Sequence, residues 1–289
     1  MHHRQIIANQ LRFHVVEQGF EGTKAQQNSK PLVFLLHGFP ECWYAWRHQL
    51  LALAEDFRVV APDLRGYNLS EKPSDVSAYR LQYLVEDVLA LADHYKAEQF
   101  YLVGHDWGAM IAWTTALLHP ERVTKLTVLQ VPHPRLFLEN MKGAQLQASW
   151  YIAAFQVPLL PELMISLDNY RFVEQGFLHP STKAGTISKA DVQVFKEACA
   201  QPGALTAGIN YYRANLGLDN QLQKYKDPVK VPTLFIYGEK DFAILPETVK
   251  GINQYVDSTY QEVRLPDCGH WVQQEAPEAV NQALLAFLR

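Results

Sequence analysis

Cysteine is scarce: Cys42, Cys199 and Cys268 are the only three in 289 residues. An odd, scattered set of that size excludes a disulfide framework and reads as reduced, packed thiols, as in a cytoplasmic protein. Basic runs are missing too. No Lys/Arg run is longer than two and the net charge is −4, which offers neither nucleic acid nor an anionic membrane surface a handle. No apolar stretch reaches bilayer-spanning length, and Met1-His2-His3-Arg4 leads into no signal-peptide core. Both absences point to a cytoplasmic chain with no membrane segment. The His2-His3 pair is read as accidental. No metal motif, nucleotide loop or cofactor signature is present, so neither metal nor cofactor is expected. Repeats and low-complexity tracts are also absent, and nothing sets an oligomeric state.

What the chain does have is apolar mass, 48% hydrophobic against 19% charged. That supports a large buried core, in one α/β domain or in a core domain carrying an insertion. Two short runs, 5–8 and 11–16, joined by Asn9-Gln10, predict an N-terminal β-hairpin, and a polar loop follows over 19–30. The wholly apolar run 31–36 suits a strand buried on both faces of a parallel sheet. A helix over 43–54, a strand over 57–61 and a helix over 79–96 come next, the last with Leu81, Leu84, Val85, Val88, Leu91 and Ala92 at helical spacing. Further strands are predicted at 100–103, 123–131, 231–237 and 259–265, with helices at 108–119, 246–255 and 277–288. Residues 134–224 break this alternation; they are rich in aromatics, helical in pattern and interrupted by Pro158, Pro161, Pro180 and Pro202. The expected architecture is α/β: a mostly parallel eight-stranded sheet flanked by helices, formed by 1–133 and 225–289, with a helical cap inserted over 134–224.

The chemistry concentrates where the apolar run 100–103 meets a helix. Gly104-His105-Asp106-Trp107-Gly108 places one acid between two glycines, the frame of a nucleophile elbow, in which a sharp strand-to-helix turn lifts one side chain above the sheet edge. Asp106 there is also compatible with a simple helix N-cap. A carboxylate is nucleophilic at neutral pH without a base, and attack on an sp³ carbon leaves an ester that water must cleave. Functional groups of such sheets gather at the carboxyl ends of strands. Three more loops qualify: His37-Gly38-Phe39-Pro40, Gly238-Glu239-Lys240-Asp241-Phe242 and Pro266-Asp267-Cys268-Gly269-His270-Trp271. The order nucleophile, acid, histidine is that of α/β-hydrolases. His270, oriented by Asp241, would take a proton from water. Glu239 and Asp267 compete for the orienting role, and Asp63 is read as a turn stabiliser. The segment after Val131, Pro132-His133-Pro134, offers no acid. The N–H groups of Phe39 and Trp107 are the expected oxyanion donors. His37, Pro40, Phe242 and Trp271, in the same loops, are expected to line the substrate site.

Four segments, 37–47 (HGFPECWYAWR), 104–108 (GHDWG), 240–242 (KDF) and 268–271 (CGHW), closely resemble epoxide hydrolases of the α/β-hydrolase fold, over nearly the whole chain. The resemblance implies that Tyr151, in 149–156 (SWYIAAFQ), and Tyr212, in 210–213 (NYYR), protonate the epoxide oxygen, and that Tyr211 does not. A phenol suits that task because it is neutral at pH 7 and can hydrogen-bond the oxygen before giving up its proton. The implied substrates are a small apolar epoxide and water, and the product is a vicinal diol. One departure is small: Ala109 stands where several relatives have a second glycine. Dehalogenases share the aspartate nucleophile and rank second; Trp107 and Trp150 suit a halide, but Phe39 stands where such enzymes often carry Asn. A non-catalytic ligand-binding relative ranks third. A serine esterase is excluded, since no serine occupies the elbow.

Overall fold

Eight extended segments carry the molecule, and the ones at its centre are those with least polar character. The computed structural model describes residues 1–23, 29–216 and 228–289. Its strands are β1 (His2–Ala8), β2 (Leu11–Gln18), β3 (Leu32–Leu36), β4 (Arg58–Pro62), β5 (Phe100–His105), β6 (Val123–Leu129), β7 (Thr233–Gly238) and β8 (Tyr260–Leu265). They form one sheet in the order β1-β2-β4-β3-β5-β6-β7-β8. β1 and β2 are the antiparallel hairpin, β2 runs antiparallel to β4, and the remaining pairs are parallel. Every residue of β3 and of β7 is buried, because helices cover both faces there. The edge strand β8 alternates half-buried and exposed positions instead.

Helix Trp107–Leu118 is buried along nearly its whole length, which its run of Ala, Ile, Met and Trp allows. Helix Leu81–His94 buries only the stripe expected from its spacing. Between β6 and β7 lie helices Pro134–Glu139, Gly143–Ala148, Trp150–Ala154, Leu160–Phe177, Lys189–Ala200 and Ala204–Ala214. Leu160–Phe177 is two helices meeting at Leu167–Tyr170, where Asp168, Asn169 and Tyr170 take left-handed φ values of 49°, 52° and 58°. The predicted end of the insertion, at 224, and part of the 19–30 loop lie outside the described residues.

Several boundaries move for identifiable reasons. The helix predicted over 43–54 starts as a 3₁₀ turn, Trp43–Trp46, and is α-helical only over Arg47–Leu53. The strand predicted at 123–131 ends at Leu129 because Gln130 adopts φ 68°. β7 begins after Pro232, which has no N–H to give a ladder. The helix predicted over 246–255 is two 3₁₀ turns, Pro246–Val249 and Ile252–Tyr255, parted by Gly251 at φ 87°. That left-handed residue ends one turn and cannot continue an α-helix.

Candidate active site

Asp106 sits at the junction of β5 and helix Trp107–Leu118 with φ 51° and ψ −119°, a backbone conformation that L-residues adopt only when their surroundings impose it. Close packing supplies the constraint. A Cβ on Gly108 would lie 2.1 Å from Leu36 O, and one on Gly38 would lie 2.2 Å from Asp106 Oδ1. The glycines therefore let the ends of β3 and β5 and the start of helix Trp107–Leu118 converge on one carboxylate. Phe39 N–H donates to Asp106 Oδ1 at 2.8 Å, and the Trp107 N–H also hydrogen-bonds the carboxylate. The side chain is 15% exposed. Burial raises its pKa above the ordinary carboxylate value; His270, His105 and the two amides pull the other way without cancelling it.

Across from the carboxylate, His270 Nε2 lies 3.8 Å from Asp106 Oδ2, close enough for one water to touch both. Its Nδ1–H donates to Asp241 Oδ2 at 2.8 Å, which leaves Nε2 as the free basic position. Burial pulls the imidazole pKa down, but the charge and hydrogen bond of Asp241, then the charge of Asp106, outweigh it and raise it to about 9. The other acids are engaged elsewhere. Glu239 faces Arg264 at 3.8 Å, Asp267 pairs with Lys240 at 3.3 Å, and Asp63 accepts from His14 at 2.6 Å and from Trp43 N–H at 3.0 Å.

Asp106, Trp107, Tyr151 and Tyr212 all line one cavity of about 380 Å³. The rest of its wall is mostly apolar, from Met110, Val131, Phe137, Leu138, Leu146 and Ile152 among others. Tyr151 and Tyr212 meet edge to face with centroids 5.8 Å apart. Burial and then the negative charge of Asp106 push both phenols above the ordinary tyrosine value, so both stay protonated at neutral pH. Trp107 packs edge to face on Tyr212 at 5.1 Å and hydrogen-bonds it. Tyr211 points elsewhere; its hydroxyl donates to Arg65 O at 2.7 Å.

Four residues expected at the substrate site lie off this wall. His37 is fully buried, its ring between Gly38 O at 2.9 Å and Leu64 N–H at 3.0 Å. Pro40 is buried with its carbonyl 3.7 Å from the Cys199 thiol. Trp271 stacks on Phe177 at 4.2 Å and donates to Gly176 O at 3.0 Å. Phe242 stacks on His179 at 4.4 Å, with its centroid 5.6 Å from His270.

Sequence reading also passed over three buried polar groups. Gln130, at the end of β6, donates to Asp241 Oδ2 at 2.7 Å and to Gly269 O at 2.9 Å, and accepts from Gly238 N–H at 2.7 Å. It stands where no acid was found, one residue before Val131. His105 Nε2–H donates to His270 O at 2.8 Å, while its Nδ1 faces Glu41 Oε2 at 2.8 Å. Glu41 also accepts from Gly38 N–H, Gln273 and Gln274. Burial pushes Glu41 up, but His105, the Gly38 amide and His37 together bring it below the ordinary value. Besides the histidine, three donors thus converge on the buried Glu41 side chain.

The alpha/beta hydrolase fold family matches residues 31–277. Epoxide hydrolase 4 of Mus musculus is 38% identical over 96% of this chain and 77% of its own length. Epoxide hydrolase 3 of Xenopus tropicalis is 36% identical over 96% of this chain and 75% of its own. Among solved structures, a variant epoxide hydrolase from Bacillus megaterium complexed with its product, (R)-3-[1]naphthyloxy-propane-1,2-diol, superposes with a TM-score of 0.88 at 32% identity over 99% of both chains.

Proposed function

This chain belongs to the epoxide hydrolases of the α/β-hydrolase fold, and from that premise we propose that it opens an apolar epoxide through an ester on Asp106. The observation that carries the proposal is one cavity lined by a carboxylate and two protonated phenols, with an Asp-paired histidine beside the carboxylate. An Asp106 oxygen forms a bond to an epoxide carbon as the ring C–O bond breaks. The departing oxygen takes a proton from Tyr151 or Tyr212, which answers the need to neutralise an alkoxide as it forms. His270, in its neutral form, then takes a proton from water at Nε2, and the hydroxide adds to the ester carbonyl. The Phe39 and Trp107 amides already point at the carboxylate and would hold the oxyanion. Collapse expels the alkoxide, which takes the proton from His270 and leaves as the vicinal diol, and Asp106 is restored.

Helices 134–214 act in this reading as a cap that supplies both phenols and most of the apolar wall. No Lys, Arg or His lines that wall among the described residues, which favours an uncharged substrate. A dehalogenase needs donors for a departing halide. The Trp107 side chain is instead turned to the Tyr212 phenol, which supports epoxide chemistry over the halide alternative.

The test is a panel of aryl and alkyl epoxides and chloroalkanes, with intact mass spectrometry. Diol formation by wild type, none by Asp106→Asn, and an epoxide adduct trapped in His270→Gln are expected. Halide release without epoxide turnover, or an adduct on a residue other than Asp106, would overturn the proposal.

A further inference from the structure

The mechanism above leaves one deeply buried carboxylate unused. Glu275, 2% exposed at the end of the short helix Val272–Glu275, points back along the chain toward His270. Its two oxygens divide the amides on either side of that histidine. Gly269 N–H donates to Oε2 at 2.8 Å and Trp271 N–H to Oε1 at 2.9 Å. A third amide, Lys183 N–H, donates to Oε2 at 2.7 Å from the loop between helices Leu160–Phe177 and Lys189–Ala200. The same loop backs directly onto Gly269, where an added Cβ would lie 2.8 Å from Ser181 O. With His105 holding the His270 carbonyl and Gln130 the Gly269 carbonyl, the peptide units before and after the imidazole are both pinned.

We propose that Glu275 positions His270 for the ester-hydrolysis step, and that it ties this position to the inserted helices through Lys183 N–H. The assignment rests on reading His270 as the base that activates water. The imidazole projects from a backbone whose orientation is set by two charge-assisted hydrogen bonds, one on each flank. Its Nε2 stands only 3.8 Å from the nucleophile, so a small rotation of that backbone moves the base off the line between water and ester. An ångström of misplacement costs about 100-fold in such steps. The third hydrogen bond makes the histidine sense the insertion: if loop 181–183 shifts away, Glu275 loses one of three donors and its grip on the flanking amides loosens. Glu275 touches neither substrate nor the reacting atoms in this account; it acts through His270.

The two chemical steps separate that role from general support of the fold. Glu275→Gln keeps the shape but offers one acceptor end to three donors. We expect ester hydrolysis to slow by about 10- to 100-fold while adduct formation is unchanged. kcat and KM then fall together, kcat/KM stays level, and the Asp106 adduct accumulates during turnover. A loss of folded protein alone would lower kcat and leave KM where it was, and that result would overturn the positioning role. Lys183→Pro, in an exposed loop, removes the N–H from the insertion and leaves Glu275 intact, and Lys183→Ala, which keeps that N–H, controls for loss of the lysine side chain. The proline variant is expected to move kcat and KM in the same direction by a smaller factor. If it moves neither, the link to the inserted helices is refuted. His270→Gln is the control. If it accumulates adduct and Glu275→Gln does not, the inference fails alone; if it forms no adduct, the parent reading fails and takes the inference with it.

Discussion

Replacing Asp241 with asparagine interrogates the acid of the site atom by atom. The carboxylate receives Ala243 N–H at 2.7 Å and Ile244 N–H at 3.0 Å on Oδ1, and Gln130 Nε2 at 2.7 Å and His270 Nδ1 at 2.8 Å on Oδ2. An amide has one accepting end, so either orientation sets its NH₂ against two donors. Breaking a buried pair of this kind costs about 3–5 kcal/mol. Part of that cost carries a pH signature. The rise of His270 from 6.5 to about 9 occurs although burial opposes it, because Asp241 and then Asp106 favour the imidazolium. It corresponds to about 3 kcal/mol of stability. A folded pKa above the unfolded one contributes fully below 6.5 and is lost as pH climbs through about 9. The stability gap between wild type and Asp241→Asn, measured by urea unfolding, should therefore be widest near pH 6 and shrink by up to about 3 kcal/mol toward pH 10. Turnover should fall by about 10³- to 10⁴-fold as the histidine loses its productive tautomer, with adduct building up on Asp106. A gap that stays flat with pH, or a variant that turns over at the wild-type rate, would refute the reasoning.

Tyr151→Phe and Tyr212→Phe should each slow adduct formation by about 10- to 100-fold in single-turnover experiments without trapping the ester, because each removes one of two proton donors. Normal adduct formation in the double variant would end their assigned role. Gly38→Ala places a methyl 2.2 Å from Asp106 Oδ1 and 2.3 Å from its Cβ. It should cost at least about 100-fold in kcat/KM and lower the melting temperature, and a fully active variant would mean that the elbow yields more easily than its packing implies.

Local pattern made much of this molecule legible. All eight strands were located, and the central ones read as apolar runs because fully buried strands in a parallel sheet need no polar face. The elbow was readable because its glycines answer to a close approach that few other residues tolerate. What stayed hidden was set by distance in the chain. Gln130 meets Asp241 across 111 positions and Glu41 meets His105 across 64, and neither pairing leaves a periodic signal. Chemistry by itself brought Asp106, His270 and Asp241 forward as candidates, with Glu239 and Asp267 still competing, whereas Tyr151 and Tyr212 needed the family resemblance, since fourteen tyrosines give no spacing to choose by. His37 and Trp271 show the opposite error. They sit in the right loops, but a strand-end loop has an inner face, and both side chains point into the packing beneath it.

The charges around the nucleophile also suggest how, in the proposed reaction, a histidine protonated at rest can serve as a base. In the proposed reaction the resting pair is Asp106 carboxylate and His270 imidazolium, consistent with a pKa of about 9. Ring opening esterifies Asp106 and so removes one of the charges that favoured the imidazolium, leaving Asp241 and Glu41 to oppose burial. It also leaves a phenolate on Tyr151 or Tyr212, whose pKa lies far above that of the histidine. The His270 proton therefore runs downhill to the phenolate, restoring the phenol and freeing Nε2 before water is attacked. In the second step His270 takes the water proton and returns it to the leaving alkoxide. The carboxylic acid left on Asp106 then protonates His270, and the starting ion pair is back. One water enters, one diol leaves, and no proton is borrowed from bulk solvent. In the proposed reaction the nucleophile thus tunes the base: the Asp106 charge favours the imidazolium, and the ester removes that contribution.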